Sequence, residues 1–424
     1  MTSLSLLLWI AFGIAMQVAL WLAIGFWRHW LDYQALRSGV PVAVATASTE
    51  SRLGVTAETA SVAAWTGFRS FRIERKIVED AAQSICSFYL VPEDGQALPP
   101  FLPGQFLTFR LDVPALGGAN EQVIRCYSLS DAPRPDYYRV SIKRVTAPTG
   151  SDVPPGRSSN YFHDHVAIGS TLQVRAPGGH FHIDRGDTPV VLIGGGIGIT
   201  PVLSMLNCCL VEQPGREVWL FYGVRNGHEL VMRDHLEALT DAHPNFHLCL
   251  CFSDPLPDDL AGRNNRHRGR VGVSLLRMQL PLKPYHYYIC GPTPMMESLV
   301  AELADWGVPD ARIHFEAFGP ASIKRKSAQA AVAQTAEMAP GIMVTFAKSG
   351  KVLPWQAGAS SLLDLAEANG IRVDSGCRAG GCGTCQTSIR SGEITYCQIP
   401  DFDPEPGNCL LCVCAPKTNV TLEA

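Results

Sequence analysis

Apolar positions along this chain fall into three successive rhythms. The first is unbroken: Leu4 to Trp27 carries no charge and one strongly polar side chain, Gln17. Wound as a helix, that run reaches about 36 Å at 1.5 Å per residue, enough for the roughly 30 Å hydrocarbon layer of a bilayer. The pattern therefore predicts a transmembrane helix within residues 1–37. Trp27 and Trp30 stand where an interfacial aromatic belt is expected. Arg28 and Arg37 follow the run and no Lys or Arg precedes it. The positive-inside bias then implies a single pass through the cytoplasmic membrane, with everything downstream on the cytoplasmic side. A cleaved signal peptide fits less well, because the basic n-region is missing and the apolar run is too long. Residues 38–63, rich in Ala, Thr, Ser and Val without a sustained period, read as a tether.

The second rhythm alternates. Ser84–Val91, Gln105–Leu111 and Tyr138–Lys143 are separated by Pro/Gly turns, which predicts a small antiparallel barrel or sandwich over residues 64–187. Within it, Pro103-Gly104-Gln105-Phe106 opens a strand, Arg125-Cys126-Tyr127-Ser128-Leu129-Ser130 follows, and Gly156 to Asp164 reads as a turn entering a helix. The third rhythm pairs short buried runs with helices. Pro189–Ile193 leads into Gly194-Gly195-Gly196-Ile197-Gly198-Ile199-Thr200-Pro201 and then a helix over Val202–Leu210. Strand, glycine turn and helix in that order make a dinucleotide-binding unit, with phosphate over the helix start. Glu217–Gly223 and His247–Phe252 continue the sheet, and Tyr287–Cys290 with Gly291-Pro292-Thr293-Pro294 repeats the strand–turn–helix pattern. Residues 188–320 are thus expected to form an α/β domain. Residues 321–340, with Lys324-Arg325-Lys326, read as a linker. From 341 to 424 the chain runs strand (Ile342–Phe346), turn, strand, helix (Ser361–Ala368).

Composition narrows the chemistry. A hydrophobic content of 46% supports real cores, and a net charge of −4 gives no basis for nucleic-acid binding. Fourteen cysteines spread over 424 residues are not a disulfide scaffold. Cys86, Cys126, Cys208, Cys209, Cys249 and Cys251 lie mostly in apolar runs and read as buried thiols. Cys377-Arg-Ala-Gly-Gly-Cys382-Gly-Thr-Cys385 differs, because Cys-x4-Cys-x2-Cys is the spacing with which a plant-type ferredoxin holds a [2Fe–2S] cluster. A zinc site favours paired Cys-x2-Cys arms instead. Gly376, Gly380, Gly381 and Gly383 are expected to let the loop close over inorganic sulfide. For a fourth thiolate, Cys409, Cys412 and Cys414 all have suitable separations.

In detail these residues resemble the ferredoxin–NADP reductase superfamily, and within it the reductase half of flavohaemoglobins. The resemblance runs from Trp65-Thr-Gly-Phe-Arg to Ala176-Pro-Gly-Gly-His-Phe181 and on through the glycine turn and Cys290-Gly291-Pro292. It implies FAD, with FMN as the lesser alternative. Arg125 would grip the flavin pyrophosphate and Tyr127 would lie against the isoalloxazine. Ser128, followed by Leu129, would hydrogen-bond near N5, with Lys143 bordering the cofactor. Gly156, Ser158 and Ser159 would receive phosphate at a helix start. Gly195, Gly196, Gly198, Thr200, Pro201, Gly291 and Pro292 would cradle the nicotinamide dinucleotide. Cys290 would lie beside the nicotinamide, Glu316 near the hydride-transfer site, and Phe318 over the flavin ring. Two positions depart from the family pattern: Cys126 replaces a residue that is often polar, and Gly178 to His180 replaces an acidic spot. The C-terminal stretch resembles a β-grasp ferredoxin, and the match of Leu411-Cys412-Val-Cys-Ala-Pro416 to the ferredoxin ending selects Cys412 beside Cys377, Cys382 and Cys385. The fold class is then multidomain: a transmembrane helix, an antiparallel β-barrel flavin domain, an α/β nicotinamide domain and an α+β β-grasp ferredoxin domain.

For the nucleotide, the loop Phe252-Ser253-Asp254-Pro255 places an acid where a 2′-phosphate would want a base, and Arg263, Arg266 and Arg268 lie downstream. NADH is favoured over NADPH. The expected function is a membrane-anchored reductase passing electrons from NADH to FAD to [2Fe–2S] and on to a separate oxygenase, desaturase, hydroxylase or other one-electron acceptor. A hybrid-cluster-protein-type or nitric-oxide-related reductase is the alternative, although the chain ahead of Trp65 is too short for a globin. A membrane-tethered redox sensor is the alternative of another class.

Overall fold

A computed structural model describes residues 16–17, 65, 67–114, 120–147, 150, 154–261, 264–318, 341–355, 361–378, 380–397, 400 and 402–424. The chain divides into two compact units, Met1–Ala60 and Ser61–Ala424; among the described residues every strand lies in the second. One expectation is corrected. Among the described residues no helix is long and apolar enough to cross a membrane, so the transmembrane helix is withdrawn from the fold class. An apolar run states a capacity for burial and not what buries it. Apart from Met16 and Gln17, the segment Leu4–Trp27 lies outside the described residues, as do 38–63 and 319–340, including Lys324-Arg325-Lys326.

The alternating runs form a six-stranded antiparallel sheet: β1 (Arg69–Val78), β2 (Ile85–Pro92), β3 (Phe106–Pro114), β4 (Asn120–Ser128), β5 (Tyr138–Lys143) and β6 (Thr171–Gly178). Its spatial order is β4-β3-β6-β1-β2-β5, and the two edges meet in an antiparallel bridge between Leu129 and Val140 that closes the sheet on itself. Closure removes the exposed edges. Helix α1 (Arg157–His165) plugs one end, its Phe162 fully buried against Phe88 and Phe109 at centroid distances of 5.2 and 5.3 Å.

The next six strands are all parallel: β7 (Val190–Gly195), β8 (Val218–Val224), β9 (Phe246–Phe252), β10 (Arg266–Arg268), β11 (His286–Cys290) and β12 (Ile313–Glu316), in the order β10-β9-β8-β7-β11-β12. Continuous apolar runs fit, because both faces are covered. Helices α2 (Ile199–Glu212) and α3 (Arg233–Ala242) supply one core, while α4 (Val273–Gln279) and α5 (Thr293–Asp305) supply the other. Strand order reverses between β7 and β11, which puts the glycine turn at the crevice where such sheets bind ligands.

The C-terminal part is a mixed five-stranded sheet, β14-β13-β19-β15-β17, built from β13 (Met343–Phe346), β14 (Lys351–Pro354), β15 (Gln386–Ser391), β17 (Asn408–Leu410) and β19 (Val420–Leu422). A small pair, β16 (Ile394–Tyr396) with β18 (Cys414–Pro416), and helix α6 (Leu362–Ala368) complete it. The first strand of this domain pairs parallel with its last and the helix packs over the sheet, as in a β-grasp.

Candidate functional site

The flavin-side residues gather at α1 and β4. Alternation along β4 puts Arg125 and Tyr127 on one face, and Ile124 and Cys126 on the other. The ring of Tyr127 packs edge-on to Phe162 of α1 at 5.1 Å and to Phe109 at 5.8 Å. Burial raises its hydroxyl pKa well above the ordinary value, so this ring is a neutral wall. Arg157 at the helix start pairs with Glu121 of β4 at 2.9 Å, which ties the helix N-terminus to the strand carrying exposed Arg125. Ser128 is buried at the end of β4, and the Leu129 N–H donates to the Gln105 carbonyl at 2.9 Å. Lys143 ends β5 and lies 3.9 Å from Glu229.

The helix start tests for a phosphate. Gly156 caps α1, and a Cβ there would stand 2.6 Å from Ser159 Oγ and 2.8 Å from Val145 Cβ. Ser159 already bonds the Gly156 carbonyl and the Val145 N–H. Ser158 Oγ, in contrast, is buried without a hydrogen-bond partner in the protein. A buried hydroxyl left so is costly, and at a helix N-terminus a phosphate oxygen is the group that satisfies it.

The nicotinamide-side glycines meet across the crevice. A Cβ on Gly198 would fall 2.3 Å from the Cys290 carbonyl oxygen and 2.6 Å from Gly291 Cα, and one on Gly195 would fall 2.7 Å from Pro292. Gly196 has φ +52°. These positions bring the two strand–turn–helix units together, which spacing alone does not reveal. Thr200 Oγ1 bonds the Ile197 carbonyl at 3.0 Å, and Pro201 is buried in the first turn of α2. Cys290 is fully buried at the end of β11, in register with Gly194 on one side and Glu316 on the other. Burial, then the Glu316 charge, holds its thiol well above the ordinary range. Phe318 is 41% exposed beyond β12. Of the basic residues considered for a 2′-phosphate, Arg266 is committed to Glu237 at 3.0 Å and to the Ala261 carbonyl, Arg268 is exposed, and Arg263 lies outside the described residues.

The cluster loop brings its four thiols into a string. Cys377 N–H donates to Cys382 Sγ at 3.3 Å, Gly381 N–H to Cys377 Sγ at 3.2 Å, and Cys385 and Cys412 approach to 3.2 Å between sulfurs. Cys412 also neighbours Cys377. Four thiols in a string with N–H donors aimed at sulfur suit a two-iron cluster. Cys409 and Cys414 are fully buried among apolar side chains, and Cys397 is exposed. Of the loop glycines, Gly376 borders a ligand sulfur, with Cys382 Sγ 2.9 Å from where its Cβ would stand. Gly380 and Gly383 take φ +76° and +67° and are closed over by Val413, Pro400 and Phe402.

Sequence reasoning missed how this loop is seated. Arg175 of β6 donates to the Cys382 carbonyl at 3.0 Å while its guanidinium covers Phe68 at 4.9 Å. Ile124 lies against Gly376, and Gly178 against the Gly381 carbonyl. The outer face of the barrel strands therefore holds the cluster loop. No local signal announces such a contact; the unusual Cys126 was the one trace of it.

This architecture defines a class: a flavoprotein oxidoreductase with flavin, nicotinamide and iron–sulfur domains on one chain. Comparisons with known proteins agree. Residues 74–183 match the oxidoreductase FAD-binding domain, 192–301 the oxidoreductase NAD-binding domain, and 344–417 the 2Fe-2S iron-sulfur cluster binding domain. The flavohemoprotein of Halalkalibacterium halodurans is 40% identical over 258 residues, which are 61% of this chain and 61% of that protein. The flavohemoprotein of Rhizobium meliloti is 40% identical over 257 residues, or 60% and 62%. This chain thus spans about three fifths of the length of those relatives. The FAD/NAD-binding domain of nitric oxide dioxygenase from Vibrio cholerae superposes with a TM-score of 0.52 at 32% identity, covering 60% of this chain and all of that one. Phthalate dioxygenase reductase superposes with a TM-score of 0.51 at 26% identity, over 84% of this chain and 98% of that one. The chain belongs to the ferredoxin–NADP reductase superfamily, as a flavohaemoglobin-like reductase module joined to a plant-type [2Fe–2S] ferredoxin.

Proposed function

We propose that this chain takes electrons from NADH and delivers them singly, through FAD and a [2Fe–2S] cluster, to a separate oxygenase. When bound, the nicotinamide and flavin supply hydride chemistry and the cluster one-electron chemistry. The chain's own residues position them. Arg125, Ser158 and the α1 N-terminus would hold flavin phosphate, the Gly195–Gly198 turn would admit the dinucleotide, and Cys377, Cys382, Cys385 and Cys412 would ligate iron. The observation that carries the reading is the seating of the cluster loop on β4, the strand that holds the flavin candidates. Phthalate dioxygenase reductase, described as modular for electron transfer from pyridine nucleotides to [2Fe–2S], supports an oxygenase as the customer. Commitment of Arg266 to Glu237 supports NADH over NADPH.

The test is NADH titration of the holoprotein, followed by the electron paramagnetic resonance of the reduced cluster and by cytochrome c reduction. Both signals are expected in the parent and lost in Cys412→Ser. NADH oxidation that never reduces the cluster would sink the proposal. A second reading, favoured by the flavohemoprotein relatives, makes a separate haem protein the acceptor. Reconstitution with haem and non-haem acceptors separates the two by rate.

A further inference from the structure

Lys76 is a cation turned into the barrel. Phe71 and Ile73 of β1 point inward and are fully buried, so strict alternation would send residue 76 out to solvent. The pairing of β1 with β2 shifts register between Ile73 and Arg75, and the extra residue, Glu74, reverses the alternation beyond it. Lys76 then stands opposite Phe88, which is fully buried, with its Nζ 5.3 Å from the centroid of that ring. Arg75, one residue back, faces the other way and lies over Tyr89 at 3.9 Å.

The inward ammonium meets the end of α1. Val166, which follows the helix, is extended, and no glycine there supplies the left-handed turn that commonly satisfies the last carbonyls. Lys76 supplies the partners instead. Its Nζ donates to the carbonyls of Phe162 at 3.4 Å, His163 at 2.8 Å and Val166 at 2.8 Å, which engages all three of its N–H groups. His163 of the last turn gives its Nε2 to the Ile142 carbonyl at 2.9 Å, and Asp164 pairs with Arg144 at 2.6 Å. At the other end of these nine residues, roughly 13.5 Å of helix, stands Ser158 Oγ, buried and without a partner in the protein.

Resting on the proposed use of FAD, with its phosphate at the α1 N-terminus, we propose that Lys76 is a positioning residue for the flavin: its ammonium caps the last carbonyls of α1 and holds the helix with its N-terminus aimed at the flavin phosphate. A partly buried cation at that end offsets the negative pole of the helix, which stabilises the helix and leaves the positive pole free for an anion. Lys76 acts on the phosphate only through the helix, a helix length away. No bond is made or broken, and no proton moves.

The experiment uses the full chain with its cluster loaded and its flavin removed. FAD and riboflavin, which lacks phosphate, are titrated into the parent, Lys76→Met, Lys76→Gln, Lys76→Arg and Arg75→Met, with flavin fluorescence as the readout. Lys76→Met is expected to weaken FAD about fivefold and to leave riboflavin unchanged. Lys76→Arg, which keeps charge and donors, should return close to the parent, and Lys76→Gln, which keeps donors alone, should fall between. Arg75→Met removes the same charge from the outer face and should keep the parent ratio of FAD to riboflavin affinity. A parent ratio in Lys76→Met overturns the inference; so does an equal loss of both flavins, which reports packing alone, or an equal drop of the ratio in Arg75→Met, which reports net charge alone. A parent that binds FAD no better than riboflavin removes phosphate from α1, and so strikes the flavin reading itself and this inference with it. Should Lys76→Met not fold, Lys76→Gln against Lys76→Arg decides by the same ratio.

Discussion

Asp131 offers the sharpest test of how the flavin and nicotinamide domains are held together. It follows β4 and is buried, with a side-chain exposure of 6%. Its carboxylate accepts from Tyr137 Oη, Asn207 Nδ2 and the Ala132 N–H, each at 2.8 Å, and lies 3.6 Å from the equally buried Arg139. Its backbone carbonyl accepts from Ser204 at 2.6 Å. Asn207 and Ser204 belong to α2, so one residue of the barrel grips the helix that opens the nicotinamide domain. Replacing it with Ala leaves Arg139 buried and uncompensated, which costs about 3–5 kcal/mol. At about 2–4 °C per kcal/mol for a unit of this size, the first melting transition should fall by about 10 °C. Asp131→Asn keeps an acceptor and should lose about half as much. The double change Asp131→Ala with Arg139→Met should cost less than Asp131→Ala alone, because no orphan charge remains. The sign with pH follows. Burial works to raise this carboxyl, but Arg139, Tyr137 and Asn207 together hold it below the ordinary carboxylate range. Its stabilisation is therefore complete above about pH 4 and lost as pH falls through the lowered folded value. Parent and Asp131→Asn melting curves should converge in acid and separate on the neutral side. An Asp131→Ala protein that melts within 2 °C of the parent, or a gap that widens in acid, would refute the account.

Other sites give independent checks. Ser158→Ala should weaken flavin binding about tenfold, since a hydrogen bond to a charged group contributes about 1.5 kcal/mol. Apoprotein stability should not fall and should rise slightly, because that buried hydroxyl has no protein partner to lose and its desolvation cost is removed; equilibrium flavin titration and melting of the apoprotein read the two effects. Gly198→Ala drives a Cβ into the Cys290 carbonyl at 2.3 Å, a backbone clash no rotamer relieves. It should cost about 1–3 kcal/mol and raise the KM for NADH, whereas an unchanged melting curve and KM would disprove the close approach. Serine at Cys377, Cys382, Cys385 or Cys412 should abolish or destabilise the cluster, while serine at Cys397 or Cys414 should leave iron and sulfide content at the parent level. Iron analysis decides between Cys412 and its neighbours.

Legibility in the sequence followed how local each determinant is. The strands β2, β3 and β5 could be read because their alternation is bounded by Pro and Gly, and β7 with α2 because a glycine turn separates two apolar periods. By contrast β1 was not singled out. Its ten residues include Arg69, Arg72, Glu74, Arg75 and Lys76, and only Phe71 and Ile73 are fully buried. Charged outer positions hide its period until β2 and β6 are seen on either side. The same limit applied to the site. Spacing named the cysteines of the loop, but the partners that seat it, Arg175, Gly178 and Ile124, lie two hundred or more residues away and follow no motif. The transmembrane helix marks the opposite error, where a strong local pattern stood in for a partner that the pattern does not specify.

The alternation of β4 has a consequence larger than its nine residues. One face of a strand cannot serve two chemistries, but its period of two divides them without extra structure. Positions 125 and 127 turn toward α1, where a cationic and an aromatic group suit a flavin. Positions 124 and 126 turn outward, where an aliphatic and a thiol suit a ferredoxin loop. A one-residue slip against β3 would exchange the two sets. Register is pinned against this by nine consecutive pairs from Phe106–Ser128 to Pro114–Asn120 and by the Leu129–Val140 bridge that closes the barrel. Under the proposed placement of the flavin, backbone pairing inside one domain sets where Arg125 and Tyr127 stand relative to the cluster loop seated on Ile124 and Gly178. A free ferredoxin must find its reductase by diffusion; here the geometry of the handover is a property of β-sheet register.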